Sequence, residues 1–402
     1  MLPDSLSPGV FVEEIPEHAR PISGVPTSTT VFIGWTAKRP VDQAQLVANF
    51  ADFERTFGGL DQRSVFGYAI KHFFENGGNR AYIIRLAEDS PRAVPSKSGS
   101  EVLLPNTSAF ERHFPSDATG GVFSQLDKLE SFNILAVPGE TSKAVIARLQ
   151  AYCRKRRAFY IVDCPGNATV EDMKNGPGKE ITGPDAANSA LYFPWLAAPD
   201  PMQSGKSRPF PPSGFLAGIY ARTDVERGLQ KSPAGNLAEV RGATGVSLEV
   251  ANSDCEALDL RGINCIRTFP DGVKVWGART LLGGNEMQSE WKYVTVRRLA
   301  IFVEESIAHG LQWVVFEPND ERLWKKVLWQ VDAFMYGLWR LGTLQGNTSR
   351  EAYYVKCGNE TMTQDDIASG RMNCLVGFAP LKPAEFVVIR IQHSLGERQV
   401  SA

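Results

Sequence analysis

The chain has 402 residues, of which 43% are apolar and 22% are charged, and these ordinary globular values exclude gross disorder. Its formal net charge is −2 at pH 7. This near-balance argues against a protein whose main task is to wrap nucleic acid, because phosphate binding usually needs a clear cationic excess. The length allows two or three domains with a sizeable core.

The six cysteines lie far apart along the chain and form no C-x-x-C motif. This spacing argues against a zinc ribbon or a dithiol redox motif, and free thiols in a core are the simplest interpretation. The first residues show no secretory signal pattern, and no segment approaches the roughly 20 apolar residues of a membrane span. We therefore expect a chain that is made in the cytoplasm and is soluble, at least until it assembles.

Residues 1–26 are rich in proline and contain one short β-like run, "GVFVEEI" (9–15). They resemble an extended arm more than a domain.

After the arm, strand and helix patterns alternate. Uninterrupted apolar runs predict strands at 29–35, 81–87, 132–139 and 158–166, and helical periodicity predicts helices at 64–78 and 141–157. This succession is typical of an α/β layer with a largely parallel or mixed sheet. The stretch from about 88 to 130 is rich in Ser, Pro and Gly, and we interpret it as a short surface insertion.

A loop-rich middle follows, including residues 198–214, and "GFLAGIYARTDVERG" (214–228) then predicts a helix entered through prolines and a serine. From Trp291 onward the pattern changes to two long helices separated by one strand, "QWVVFEP" (312–318), and then three further strands. The change predicts a domain boundary near residue 290.

The strongest β-forming run is "PAEFVVIRIQ" (383–392), close to the end of the chain. An apolar strand in this position must be covered, either by the chain's own sheet or by another molecule.

Three motifs suggest enzymatic or nucleic-acid chemistry, but each has a simpler interpretation. "SGKS" (204–207) lacks the first glycine of a phosphate loop, where Asp200 stands, and no helix pattern follows directly. Asp163 ends an apolar strand and can begin a turn before Pro165. "RKRR" (154–157) lies at a predicted helix end, where cations complement the helix dipole. The five histidines are scattered without ligand spacing, so no metal site or catalytic set is predicted.

The helix predicted at 319–342 has two distinct faces. At about 100° per residue, one apolar face points to the core: Trp324, Val327, Leu328, Val331, Phe334, Met335 and Leu338. The opposite face combines cations with aromatic residues: Arg322, Lys325, Lys326, Trp329, Ala333, Tyr336 and Arg340. Such a mixture is typical of protein-binding surfaces and predicts a docking surface for an acidic partner. The alternative is that Trp329 and Tyr336 pack beneath another element of the same chain.

The sequence resembles the contractile tail sheath family, which includes sheaths of phage tails, R-type bacteriocins and extracellular contractile injection systems. The resemblance covers nearly the whole chain and is carried by a series of segments in order: "SPGVFVEEI" (7–15), "ALYFPWL" (190–196), "PPSGFLAGIYARTDVERG" (211–228), "RGINCIRTF" (261–269), "VWGARTL" (275–281), "WKYVTVRRLAIFVEESI" (291–307), "FEPNDERLW" (316–324), "EAYYVKCGNETMT" (351–363) and "PAEFVVIRI" (383–391). The chain has only a short segment between Ala87 and Leu135, where many phage sheaths carry large insertions. It is therefore more similar to the small sheaths of bacteriocins and injection systems.

The resemblance implies that both chain ends add strands to sheets of neighbouring subunits. In this sequence the exchanging residues would be Val10, Phe11, Val12, Phe386, Val387, Val388, Ile389 and Ile391. It further implies six-fold rings that stack helically around an inner tube, with baseplate and terminal cap proteins and sometimes sister sheath proteins as partners. The cationic and aromatic residues Arg322, Lys325, Lys326, Trp329, Tyr336 and Arg340 are then candidates for inner-tube contact.

We therefore expect an α/β fold, α+β in its C-terminal part, with a mixed-sheet core. The predicted organisation is an arm (1–26), an α/β domain (27–290) and a C-terminal domain (291–402). The predicted function is a structural subunit of a contractile sheath, assembled in the bacterial cytoplasm into a phage or tail-like particle that drives a tube through a cell envelope. No cofactor, enzyme activity, nucleic acid or membrane insertion is expected. An α/β hydrolase or NTPase with an unrecognised site is the alternative, and a nucleic-acid-binding module is a third.

Overall fold

The computed structural model describes residues 21–38, 43–86, 104–284 and 289–383. In this part of the chain the strands are β1 (Thr30–Trp35), β2 (Gln45–Val47), β3 (Ala81–Leu86), β4 (Ile134–Ala136), β5 (Phe159–Asp163), β6 (Ser189–Phe193), β7 (Leu196–Asp200), β8 (Lys206–Phe210), β9 (Gly245–Val246), β10 (Ile263–Phe269), β11 (Gly272–Val275), β12 (Tyr353–Lys356) and β13 (Leu375–Phe378). The helices are α1 (Phe50–Phe57), α2 (Phe66–Glu75), α3 (Ser108–Glu111), α4 (Gly121–Asp127), α5 (Lys143–Lys155), α6 (Val170–Lys174), α7 (Ser213–Arg227), α8 (Asn252–Asp259), α9 (Val294–Gly310), α10 (Glu321–Arg340), α11 (Ser349–Ala352) and α12 (Gln364–Ala368).

The centre of the fold is an eight-stranded mixed sheet in the order β11-β10-β6-β5-β4-β1-β3-β2. Its inner strands are parallel, and the edge strands β2 and β11 are antiparallel to their neighbours. Strands such as β5 are buried along their whole length because helices cover both faces of the sheet. The predicted α/β class, its four strands and the two helices at 64–78 and 141–157 are confirmed.

Helix α7 packs unusually close to α2. A Cβ atom at Gly214 would lie 2.5 Å from the carbonyl oxygen of Ala69, and one at Gly218 would lie 2.4 Å from that of Phe73. The two glycines therefore let the helix backbones approach each other, and α7 is buried from Ser213 to Thr223.

Two sequence interpretations in the α/β part are wrong. The described part of the expected surface insertion, residues 104–130, forms α3 and α4, and their Phe110, Phe123 and Leu126 lie in the core. Helices this short show too little periodicity to be recognised. The expected loop at 198–214 contains β7 and β8, which form a hairpin in a separate three-stranded sheet with β9.

The strand expected at 312–318 is also wrong, since Gln312–Val314 form a 3-10 helix. Trp313 folds back and donates its Nε1–H to Oε1 of Gln330 at 3.1 Å. Val315 and Phe316 are left 63% and 101% exposed, because the described part of the chain places no strand beside them to pair with.

The C-terminal part has its own apolar core, in which α9 and α10 pack against the antiparallel pair β12–β13. Helix α9 belongs to both parts of the chain: Val294 and Ile301 pack with the sheet, whereas Leu299 and Val303 pack in the C-terminal core.

A buried ion pair ties α9 to α7. The Arg298 guanidinium donates to both carboxylate oxygens of Asp224, at 2.9 and 2.6 Å, and also to the carbonyl of Thr27 at 3.1 Å. The Arg298 and Asp224 side chains are only 6% and 4% exposed. Burial opposes the charge of Arg298, but the carboxylate offsets this effect and raises the pKa of the guanidinium. A bidentate pair in this setting fixes one orientation of α9 on the α/β part.

Replacing Arg298 with Met tests this junction. The change leaves an uncompensated buried carboxylate, and we expect a loss of about 3–5 kcal/mol in the free energy of unfolding, measured by chemical denaturation. Combining it with Asp224→Leu should cost clearly less than the sum of the two single changes, because the double variant buries no charge.

The exposed pair of Arg154 and Asp185, at 2.8 Å, is the matched control. Arg154→Met should cost at most about 1 kcal/mol. Additive effects of Arg298→Met and Asp224→Leu would contradict the assigned role.

Candidate assembly surfaces

Helix α10 is held by both polar and apolar contacts. Its N-cap Asp320 accepts a hydrogen bond from the Leu323 backbone N–H at 2.9 Å, and Val327, Val331 and Met335 are fully buried in the C-terminal core. The helix therefore presents a fixed outer face.

All six residues proposed for tube contact lie on that outer face and are exposed: Arg322, Lys325, Lys326, Trp329, Tyr336 and Arg340. Trp329 is 61% exposed and Tyr336 is 43% exposed. The alternative interpretation required another element of the chain to cover these two rings. Within the described residues, no element does so. We call these six residues the basic-aromatic face.

The charge of this face is less one-sided than the sequence suggests. Lys325 forms an ion pair with Glu321 at 2.8 Å, and Asp332 is also exposed on the helix. Lys325 therefore offers a partly compensated charge, whereas no ion pair to Arg322 or Lys326 occurs among the described residues.

Sequence reasoning missed two apolar residues at this surface. Leu328, expected in the core, is 36% exposed beside Trp329, and Leu341, just after the helix, is 76% exposed. The angular position of a residue on a helix predicts the direction of its side chain. It does not predict how far the neighbouring elements extend over that side chain, so only the fold could show that Leu328 is exposed.

The second candidate surface is the two-stranded sheet β12–β13. Tyr353 and Cys357 alternate with exposed Tyr354 and Lys356, so one side of the sheet packs on the C-terminal core and the other faces outward. Among the described residues, no further strand is assigned to either outer edge of the pair. Unpaired edges of this kind can accept a strand from another chain.

The residues predicted to exchange strands lie outside the described residues. They are Val10, Phe11 and Val12 near the start and Phe386, Val387, Val388, Ile389 and Ile391 near the end. Their role stays a prediction.

The candidate phosphate loop is the turn of a hairpin. Ser204 and Gly205 connect β7 to β8 with positive φ angles of 54° and 79°, and the following residues form a strand instead of a helix. The arrangement lacks the helix N-terminus that a phosphate loop needs.

Asp163 is buried and holds the start of α7 in place. Its carboxylate accepts hydrogen bonds from the Ser213 hydroxyl at 2.7 Å, the Ser213 N–H at 2.8 Å and the Gly139 N–H at 2.9 Å. Burial raises the pKa of Asp163 to about 6, although these hydrogen bonds act in the opposite direction. The carboxylate is thus committed to the protein's own backbone, which is more than the simple turn that we expected.

The other polar candidates are also structural. In the "RKRR" run, Arg154 pairs with Asp185 at 2.8 Å and Arg157 pairs with Glu305 at 3.1 Å. His72 is buried against Phe215, and burial lowers its pKa to about 3. The described ranges contain no cluster of three or more His, Cys, Asp or Glu residues that could hold a metal ion. No described helix combines the length and the apolar character needed to cross a bilayer.

Two family models match this chain, one in the α/β part and one largely in the C-terminal part. The phage tail sheath protein central domain matches residues 119–281, and the phage tail sheath C-terminal domain matches residues 286–394. The chain belongs to the contractile tail sheath family. Members of this family are structural proteins, so the chain is a structural protein and not an enzyme.

Named relatives agree with this assignment. The sheath chain is 27% identical over 328 residues to a prophage major tail sheath protein of Pseudomonas aeruginosa (strain UCBPP-PA14), covering 78% of each chain. It is 24% identical over 267 residues to the tail sheath protein of Escherichia phage P2, covering 64% of this chain and 62% of the phage protein.

Solved structures resemble the sheath chain over almost its whole length. The helical sheath of the anti-feeding prophage in its contracted state is 29% identical, with a TM-score of 0.75 and coverage of 97% of this chain and 100% of that chain. The sheath complex of PVC, an extracellular contractile injection system, in its contracted state is 25% identical, with a TM-score of 0.72 and coverage of 98% and 99%.

Asp163→Asn tests the structural role of the buried carboxylate. An amide can replace only part of the acceptor set, so at least one of the buried N–H groups of Gly139 and Ser213 would lose its partner. We expect the free energy of unfolding to fall by about 1–3 kcal/mol in denaturant titrations. Asp185→Asn, at an exposed carboxylate, should change it by less than about 1 kcal/mol. Equal effects of the two changes would contradict the role assigned to Asp163.

Proposed function

We propose that this protein is the repeating subunit of a contractile sheath, which polymerises helically around an inner tube and contracts to drive the tube through a target envelope. The observation that carries this proposal is the match to contracted sheath structures along nearly the whole chain, with 97% coverage of this chain and 100% of the anti-feeding prophage sheath. Coverage of this extent leaves little of the chain for a different task.

In this proposal the subunits form six-fold rings stacked around the tube, and the stack meets a baseplate at one end and a cap at the other. Likeness to a chain of the anti-feeding prophage baseplate structure, with a TM-score of 0.72, supports the baseplate contact. The particle assembles in the cytoplasm of a bacterium and acts after release. The energy for contraction is stored during assembly as a trapped packing of subunits, so the chain needs no nucleotide site.

The proposal keeps three parts of the chain: an arm at 1–26, an α/β part at 27–290 and a C-terminal part at 291–402. The separate apolar core of the C-terminal part supports this division. The buried pair of Arg298 and Asp224 would make the two larger parts move as one body.

The basic-aromatic face of α10 is the proposed contact with the inner tube in the stretched state. Its exposed aromatic rings and cations suit an acidic protein surface. Exposed charge pairs contribute about 1 kcal/mol or less each, so contacts of this kind can break one after another as contraction spreads.

Lys325→Glu combined with Lys326→Glu tests the tube contact. Both side chains are exposed, so the variant should keep its fold and melt close to the parent. Reversing both charges should weaken binding to tubes by about tenfold or more per subunit. Electron microscopy should then show few stretched sheaths, with contracted tubular polymers still present.

A matched variant, Lys128→Glu with Lys155→Glu, reverses two exposed charges on the α/β part. It should assemble normally on tubes. Stretched particles at normal yield from the Lys325 and Lys326 variant would remove the tube assignment.

The sheet β12–β13 is the proposed acceptor for strands from neighbouring subunits. A two-stranded sheet is marginally stable by itself and gains from additional strands at its edges. Here one side of the pair already packs on the C-terminal core, so added strands would extend a sheet that is stabilised by this packing. Main-chain hydrogen bonds would join subunits strongly while flexible connections let them shift.

Removing residues 384–402 tests strand exchange at the C-terminal end. Without Phe386, Val387, Val388, Ile389 and Ile391, we expect folded subunits that form no long tubular polymer, as judged by negative-stain microscopy and sedimentation. Removing only residues 393–402 deletes the polar tail and keeps the apolar run, so it should preserve assembly. Long sheaths from the larger deletion would refute strand exchange by this segment.

A further inference from the structure

Cys357 and Cys374 are far apart in sequence but face each other in the fold. The antiparallel register pairs Tyr353 with Phe378 and Lys356 with Leu375. One step beyond, the same register places Cys357 opposite Cys374, where the two chain segments leave the sheet.

The hydrogen-bond pattern identifies the type of this pair. Ala379 donates its N–H to the carbonyl of Ala352 at 2.8 Å, which is one of the two bonds of a hydrogen-bonded pair and gives their position that type. The two types alternate along an antiparallel ladder, so the position of Cys357 and Cys374, five steps away, is a non-hydrogen-bonded pair. Cα atoms in such a pair lie about 4.5 Å apart. This separation falls inside the range of about 4.4–6.8 Å that a disulfide spans.

Both side chains also point to the same side of the sheet. Cys357 is 7% exposed and belongs to the C-terminal core, and Cys374 packs beside it but is only partly buried. Interaction between the two thiols lowers the pKa of Cys357 and raises that of Cys374. The pair is therefore preformed, and solvent reaches it through Cys374.

We propose that Cys357 and Cys374 form a reversible disulfide when the protein meets a small-molecule disulfide such as oxidised glutathione. One thiolate of the pair attacks a sulfur of the small disulfide, which forms a mixed disulfide and releases one small thiol. The second cysteine then attacks the mixed disulfide through its thiolate and releases the other small thiol. The protein loses two protons and two electrons, and the small disulfide is reduced to two thiols.

The other close pair, Cys255 and Cys265, provides a contrast. Interaction between these two thiols also lowers the pKa of one of them, Cys255, but Cys265 is fully buried and Cys255 is 6% exposed in the core beside the central sheet. Neither thiol of this pair is exposed enough to attack a small disulfide, so this pair should stay reduced under the same conditions.

The bond would close the loop between the two strands, which contains α12, and would hold the ends of β12 and β13 together. Formation of the bond does not depend on the proposed function. The effect of the bond on the particle does rest on the proposed function. If β12–β13 accepts strands from neighbouring subunits, oxidation after release would stabilise this acceptor sheet in the finished particle.

The full-length protein is incubated with oxidised glutathione under native conditions, alkylated and digested with trypsin without reduction. Cleavage after Lys356 and Arg371 places the two cysteines in separate peptides, 357–371 and 372–390. The expected result is a disulfide-linked pair of these peptides, whose mass is lower by two hydrogens than the sum of the two reduced peptides. The apparent melting temperature should rise by on the order of 5 °C and fall back on reduction.

Cys374→Ser should abolish both the linked peptides and the thermal shift, whereas Cys255→Ser should leave both unchanged. Full alkylation of Cys357 and Cys374 after native oxidation, or linkage that appears only in denatured protein, would overturn the proposal. Sheath assembly is scored separately, so a failure of strand exchange would leave these chemical readouts intact.

Discussion

The buried guanidinium of Arg298 against the Asp224 carboxylate is the constraint on which the arrangement of the chain depends. It fixes α9 on α7, and α9 contributes apolar side chains to both cores. The orientation of α10, and with it the outward direction of the basic-aromatic face, follows from how α9 is held. Force applied to the C-terminal part would thus pass to the α/β part through a rigid, desolvated contact instead of a flexible linker.

The sequence predicted the α/β class and the positions of β1, β3, β4 and β5, because strands buried on both faces appear as uninterrupted apolar runs. It missed α3 and α4, since helices of four and seven residues carry almost no periodic signal. It wrongly predicted a strand around Val315 because an apolar run does not reveal whether a partner strand lies beside it. The basic-aromatic face is exposed, which agrees with one of the two sequence interpretations, whereas the exposure of Leu328 depends on where its neighbours end. The pairing of Cys357 with Cys374 required the strand register, which no local pattern encodes.

The polar groups that first suggested enzymatic chemistry instead hold structure together. Asp163 accepts hydrogen bonds from the chain itself, and the arginines at the end of α5 pair with carboxylates of other elements. A carboxylate whose acceptor sites are already occupied has little capacity left to position a substrate or a metal. This use of polar residues suits a protein whose work is done by changes in packing between copies.

Within the described residues both outer edges of β12–β13 carry no further strand, and this has a consequence for the subunit before it joins a particle. If these edges accept strands from other copies, as proposed, free copies face a competition between ordered growth and off-pathway aggregation. Ordered growth predominates only when the polymer nucleates slowly in free solution and rapidly on a template. Under the proposed strand exchange, sheath polymerisation would therefore require a starter structure that presents the first correctly spaced strands.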